Sequence, residues 1–235
     1  MTNCTVSSPE SSLGPHQTFR RRVGEGRWAC FVKDFPSLTR RPGWVLTREG
    51  WSEDTVYALI RGVVGVEQRG GREQDVEQLI AFRRDGDLIG DVAAAELTAR
   101  TATVKARTEC EVAVIPGVRF RSAEFQREWG AALLAYVSGR GREGAMLLRS
   151  GDHLARVAHL VVPLLDDAEK AVRPGGMVSL RVAQQEVADC LGLGRDTVRR
   201  LTSAAPFGGW PKGRGGSLLI TDPVALRRTA ARLAG

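Results

Sequence analysis

The apolar residues of this chain change their period once, at Pro116, and that change constrains the fold more than any single motif. Across residues 41–115 the chain reads as short strands broken by turns, with alternation of period two in "VYALI" and "VVGVEQ". "GWVLTREG" offers a further strand and turn, and "TATVKARTECEVAVI" two more strands around Thr108-Glu109. Turn signals fall at Gly62, Gly70-Gly71 and Asp85-Gly86. Many short strands at near-regular spacing predict a β-barrel, roll or sandwich. Beyond Pro116 the period becomes helical: Phe125, Trp129, Leu133, Tyr136 or Val137, and later Leu147 fall near one face. "HLARVAHLVVPLL" (153–165) predicts another amphipathic helix, and "KAVRPGGMVSL" reads as a linker or short hairpin. The fold class is therefore α+β, ordered as β-domain, long helix and small helical domain.

Within that last part, "QQEVADCLGLGRDTVRRL" (184–201) has the spacing of a helix-turn-helix. Val187 and Leu191 sit four apart on a first short helix, and Ala188 is small where two helices cross. Gly192 permits the tight turn, Leu193 plugs it, and Val198 and Leu201 face inward from a second helix that begins near Gly194-Arg195. Thr197, Arg199 and Arg200 are left pointing outward. In such a unit Arg195 and Arg200 can present paired donors to guanine or clamp phosphates, and Asp196 can accept from a cytosine amine. Downstream, "GWPKGRGGSLLITD" reads as a basic, glycine-rich turn and a strand at 217–221, the pattern of a wing whose Lys212 and Arg214 meet backbone phosphates.

The charge distribution agrees independently. Residues 170–235 hold 11 Lys and Arg against 4 Asp and Glu, whereas residues 1–169 hold 23 of each, so the whole net charge of +7 lies in the last quarter of the chain. A neutral domain carrying a polyanion-binding module has this asymmetry. With 43% apolar and 26% charged residues, the 235-residue chain can bury a core of globular type. No apolar run approaches the ~18 residues of a membrane helix, and residues 1–17 are polar without a signal core. A disordered tail and a cytoplasmic location without membrane partners are the expectation. Cys4, Cys30, Cys110 and Cys190 are far apart, as are His16, His153 and His159, so no metal or iron–sulfur spacing emerges. "GRGREG" (139–144) matches a dinucleotide-binding fingerprint letter for letter, but an apolar helical segment precedes it where a strand is required. It reads instead as a glycine-weakened stretch in or near a helix.

Three segments resemble the catabolite-activator and fumarate-nitrate-reduction (CRP/FNR) regulator family, and they span most of the chain from about residue 40. "GWVLTREGWSEDTVYALIRGVVGV" is similar to the opening of the family's barrel. "IGDVAAAELTARTATVKARTECEVAVI" is similar to its phosphate-binding cassette, and the third segment is the helix-turn-helix with its wing. The resemblance implies a cyclic-nucleotide-binding-type β-roll or barrel (18–120), a dimerisation helix (121–150) and a winged helix-turn-helix (151–235). It implies a homodimer on a palindromic DNA operator, with RNA polymerase as a further partner. Carried over by position, Gln184, Arg195, Asp196, Thr197, Arg199 and Arg200 fall in the DNA-reading unit, and Gly90, Asp91, Arg100 and Thr101 in the effector cassette.

The cassette departs from the family pattern. Asp91 stands where cyclic-nucleotide-binding members carry Glu, the loop to Arg100 is one residue tighter, and "SGRGREG" has no Thr-Ser pair to cap adenine. Three outcomes stay open: a cyclic nucleotide, another small effector, or no ligand, with Asp91 and Arg100 pairing as scaffold. The iron–sulfur branch needs clustered N-terminal cysteines, which this chain lacks, and no haem ligand is identified. No metal site and no catalytic arrangement emerge, so the chain does not read as an enzyme. The alternative to a DNA regulator is a cyclic-nucleotide-type signalling module whose C-terminal domain docks a protein partner.

Overall fold

The computed structural model describes residues 18–70, 77–169, 176–211 and 216–234; the expected tail at 1–17 lies outside them. In chain order the elements are α1 (Phe19–Val23), α2 (Glu25–Lys33), β1 (Ser37–Arg40), β2 (Val45–Thr47), β3 (Val56–Arg61), β4 (Val63–Arg69) and β5 (Glu77–Arg84). They continue with β6 (Leu88–Ile89), α3 (Asp91–Glu96), β7 (Thr103–Ala106), β8 (Cys110–Ile115), α4 (Gly117–Phe120) and α5 (Ala123–Arg149). The last part holds α6 (His153–Glu169), β9 (Val178–Arg181), α7 (Gln184–Leu191), α8 (Arg195–Leu201), β10 (Ser217–Ile220) and α9 (Pro223–Ala231), ending in a 3-10 turn, Arg232–Ala234.

The first eight strands form two four-stranded antiparallel sheets, ordered β1-β8-β3-β6 and β2-β7-β4-β5. Alternate residues of both sheets, among them Leu46, Leu59, Val64, Val104 and Val112, turn inward and form an apolar core within the roll. Two helices, α1 and α2, precede the roll, where sequence periodicity offers none. At five and nine residues they are too short to be stable alone in water, and tertiary burial stabilises them. Phe19, Trp28 and Phe31 meet Phe125, Trp129 and Tyr136 of α5, with Phe31 and Trp129 ring centroids 5.1 Å apart. This aromatic cluster fastens the first half of α5 to the roll.

The helix α5 runs unbroken through Gly139, Gly141 and Gly144, each of which costs about 0.5–1 kcal/mol of helix stability relative to Ala. Glycines inside a helix cannot cradle a pyrophosphate at a helix start, which removes the dinucleotide reading structurally. Ser122 starts the helix, its Oγ accepting from the Phe125 N–H at 3.2 Å.

The amphipathic expectation for α6 is corrected. The helix is buried on every side from Ala155 to Leu165, because β5 and α7 cover one flank and β9 and α9 the others. Its core continues from Val63, Leu79 and Phe82 of the roll through Leu180, Val187 and Val198 to Ile220 and Leu226. The two modules thus share one apolar core. Ion pairs stitch the seam: Arg84 and Arg227 both meet Asp166, and Arg107 of the roll meets Glu186 of α7. No helix among the described residues is long and apolar enough to cross a membrane.

Candidate nucleic-acid interface and effector cassette

Gly192 joins α7 to α8 with φ 62 and ψ 33, the left-handed conformation that only glycine adopts without strain. The Leu193 N–H closes the turn on the Ala188 carbonyl at 2.9 Å. Val187, Ala188 and Val198 are fully enclosed beneath it, so the turn and both helices form a rigid platform. At the start of α7 the Glu186 carboxylate accepts from the Ala183 N–H at 2.8 Å; Ala183 has no side-chain acceptor to complete a capping box. The wing stands beside it. β10 pairs with β9, and Gly208 and Gly209 exchange backbone hydrogen bonds with Leu219 on its other edge.

On this platform Arg195, Asp196, Arg199 and Arg200 are exposed and Thr197 is half-buried. Two of the sequence-assigned residues are engaged locally. Arg199 pairs with Asp196 at 2.9 Å, and Gln184 donates to the Arg195 carbonyl at 2.7 Å, so Gln184 buttresses the start of α8. Arg195 and Arg200 make no ion pair among the described residues and project as unengaged donors. Lys212 and Arg214 lie outside the described residues.

The four cassette positions converge on one cavity of about 380 Å³, lined also by Arg140 and Gly141 of α5. Gly90 opens α3 at φ 78, and a Cβ there would collide with Arg100 Nη1, so the backbone is pressed against the guanidinium. Arg100 is buried and donates to the carbonyls of Gly90, at 2.9 Å, and Thr55, with Glu53 3.8 Å from its Nε. Its Nε is enclosed without a hydrogen-bond partner. Thr101 is exposed at the cavity rim.

Asp91 and Arg100 do not pair, so the salt bridge supposed for the ligand-free alternative is absent. Asp91 instead meets Arg140 Nη2 at 2.6 Å, and both side chains are largely enclosed. Arg140 lies over the Tyr136 ring at 4.5 Å. Burial opposes its charge, but Tyr136 and Asp91 outweigh burial and move its pKa upward. The Tyr136 hydroxyl donates to Asp87 at 3.0 Å and accepts from the Leu88 N–H at 3.1 Å. Burial pushes the Asp87 carboxyl above the usual carboxylate range, and Arg83 and the Arg84 N–H oppose that shift. The long helix is therefore anchored into the cassette by one arginine and one tyrosine, four residues apart on the same face. Sequence reading passed over Arg140, although a charge four residues after Tyr136 on the packing face was the available signal. Among the described residues no group of three or more His, Cys, Asp or Glu side chains could hold a metal.

A β-roll, a long helix and an outward-facing helix-turn-helix make up the two modules of the chain. Residues 38–126 match a family model described as a cyclic nucleotide-binding domain. The cAMP-activated global transcriptional regulator CRP of Escherichia coli O6:H1 is 27% identical over 177 residues, covering 73% of this chain and 80% of that protein. The cAMP-activated regulator Vfr of Pseudomonas aeruginosa is likewise 27% identical, covering 71% of this chain and 80% of that protein. A CRP-family transcriptional regulator from Thermus thermophilus shares the fold with a TM-score of 0.61 at 22% identity, over 82% of this chain and 96% of that one. Over most of its length the chain is thus similar to transcription regulators of the CRP family.

Proposed function

We propose that this protein is a sequence-specific DNA-binding transcription regulator that acts as a homodimer on a palindromic operator. The observation that carries the reading is α8: a rigidly supported, outward helix whose Arg195 and Arg200 have no ion-pair partner among the described residues. The excess positive charge of the chain lies in the same last quarter of the sequence. Lys212 and Arg214 belong to the same reading as phosphate contacts from the wing, and RNA polymerase is the protein partner of a bound regulator.

Dimerisation falls to α5. Ala131, Leu134, Ser138, Gly141, Ala145 and Leu148 recur at alternating spacings of three and four, and all are exposed or half-buried in the single chain. Leu134 and Leu148 are 70% and 74% exposed, large apolar groups that a second copy of the helix would cover. The small residues between them let two helix backbones approach closely.

Effector control is the less direct part of the reading. Gly90, Asp91, Arg100 and Thr101 surround a cavity of ligand size, and the curated relatives are named as cAMP-activated. Arg140 already engages the carboxylate that would receive sugar hydroxyls, so a cyclic nucleotide would have to displace it.

Selection from a randomised duplex pool by the purified protein without ligand tests this. Enrichment of a palindrome with half-sites about one helical turn apart is expected. Absence of enrichment, both without ligand and with cyclic nucleotides, would sink the reading in favour of a protein-docking module.

A further inference from the structure

Behind the cassette lies a second cavity, about 350 Å³, separated from the first by Gln68, Ile80, Arg83 and Arg140, which line both. Elements of both modules close it. Ile80 and Phe82 come from β5, Leu147 from α5, Leu160 and Pro163 from α6, and Leu191 from the end of α7. The cassette residues and the DNA-facing side of α8 take no part in it.

The charges on its wall are unevenly matched. Arg140 is committed to Asp91, and His159 meets Glu143 at 2.6 Å. Arg83 makes no ion pair among the described residues, although its charge acts on the Asp87 carboxyl; its Nη1 donates to the Phe82 carbonyl at 2.9 Å. Arg156 is 5% exposed, donating to the Leu191 carbonyl at 2.6 Å and contacting His153 Nδ1 at 3.1 Å, while its Nε is enclosed with no partner. A buried guanidinium without a counter-ion is unfavourable, and an anion in the cavity would relieve it. The remaining wall is apolar.

Gly144 supplies a separate observation. It lines this cavity, and a Cβ built on it meets nothing within 4 Å. Backbone conformation does not require glycine here, since the residue is helical, and a side chain at this position would extend into space now empty. Gly141 stands in the same relation to the cassette cavity. Gly144 thus leaves room on the second cavity.

We infer that the second cavity is a binding site for a small amphipathic anion, a monocarboxylic acid whose head is drawn to Arg83 and Arg156 and whose apolar body lies along Ile80, Leu147 and Leu160. Such a ligand would touch β5, α5, α6 and α7 at once and tie the DNA-binding module to the roll.

Calorimetric titration of the full-length protein with decanoate, in the absence of DNA, tests the site. Saturable binding of one decanoate per chain is expected, weakened about tenfold or more by Arg83→Gln and by replacing the probe with uncharged decanol. Gly144→Met fills the chamber while improving helix propensity, so it should abolish binding without lowering the thermal midpoint. Unsaturable binding, an unchanged affinity in Arg83→Gln, or full binding in Gly144→Met would each overturn the assignment. Because the readout involves no DNA, its failure is distinguishable from failure of the operator reading.

Discussion

Arg199 and Arg200 are neighbours on α8 with different consequences. Arg199 spends its charge on Asp196 in a fully exposed pair, an interaction whose net value is small. Arg200 has no such partner among the described residues and retains its full donor fork for a base edge. Arg200→Ala should therefore cost about 1–3 kcal/mol on the preferred operator and flatten discrimination at one base-pair position. Titration against the operator and its single-base variants measures this, and uniform weakening across all variants would make Arg200 a phosphate contact instead. The sequence identified Arg200 correctly as outward-facing, since Val198 and Leu201 fix the inward face. It did not reveal that Gln184 is spent on the Arg195 carbonyl, because that bond spans the turn and depends on its geometry.

Among the elements, α5 carries most of the functional organisation. One face holds Phe125, Trp129, Leu133 and Tyr136 against the roll, and the exposed face presents the Leu134–Leu148 seam. Leu134→Glu places like charges opposite each other in a dimer while leaving the packed face untouched. Sedimentation should then show a monomer of unchanged fold, with operator affinity reduced because each half-site is bound alone. A variant that remained dimeric would place the interface elsewhere. The helix-turn-helix was legible at this scale because its glycine, its small crossing residue and its apolar plugs lie within eighteen consecutive residues. The helices α1 and α2 were not, since their stability comes from aromatic partners about a hundred positions away on α5.

For the whole molecule the governing facts are the charge asymmetry and the shared core. A net +7 confined to residues 170–235, which carry α8 and the wing, predicts steeply salt-dependent DNA binding. Lys212→Ala should weaken all duplexes about equally and lower the slope of log affinity against log salt by about one unit. Fluorescence anisotropy over a series of salt concentrations gives both values; an unchanged slope would remove Lys212 from the phosphate contacts. The modules are not beads on a string, because Val63, Leu79 and Phe82 of the roll pack into the same core as α6 and α7.

The sequence by itself determined the order of the parts, the change from strand to helix at Pro116 and the turn at Gly192. These are local properties: hydrophobic period, backbone freedom and short spacing, each carried by neighbouring residues. Only the tertiary structure decided that Asp91 is answered by Arg140, 49 positions away, and that α6 is enclosed on all sides. It alone also set two cavities on either side of Arg83 and Arg140. Those outcomes depend on which surfaces of the roll, α5 and the C-terminal module meet. Burial and ion pairing at such contacts are set by three-dimensional packing, which no local pattern encodes.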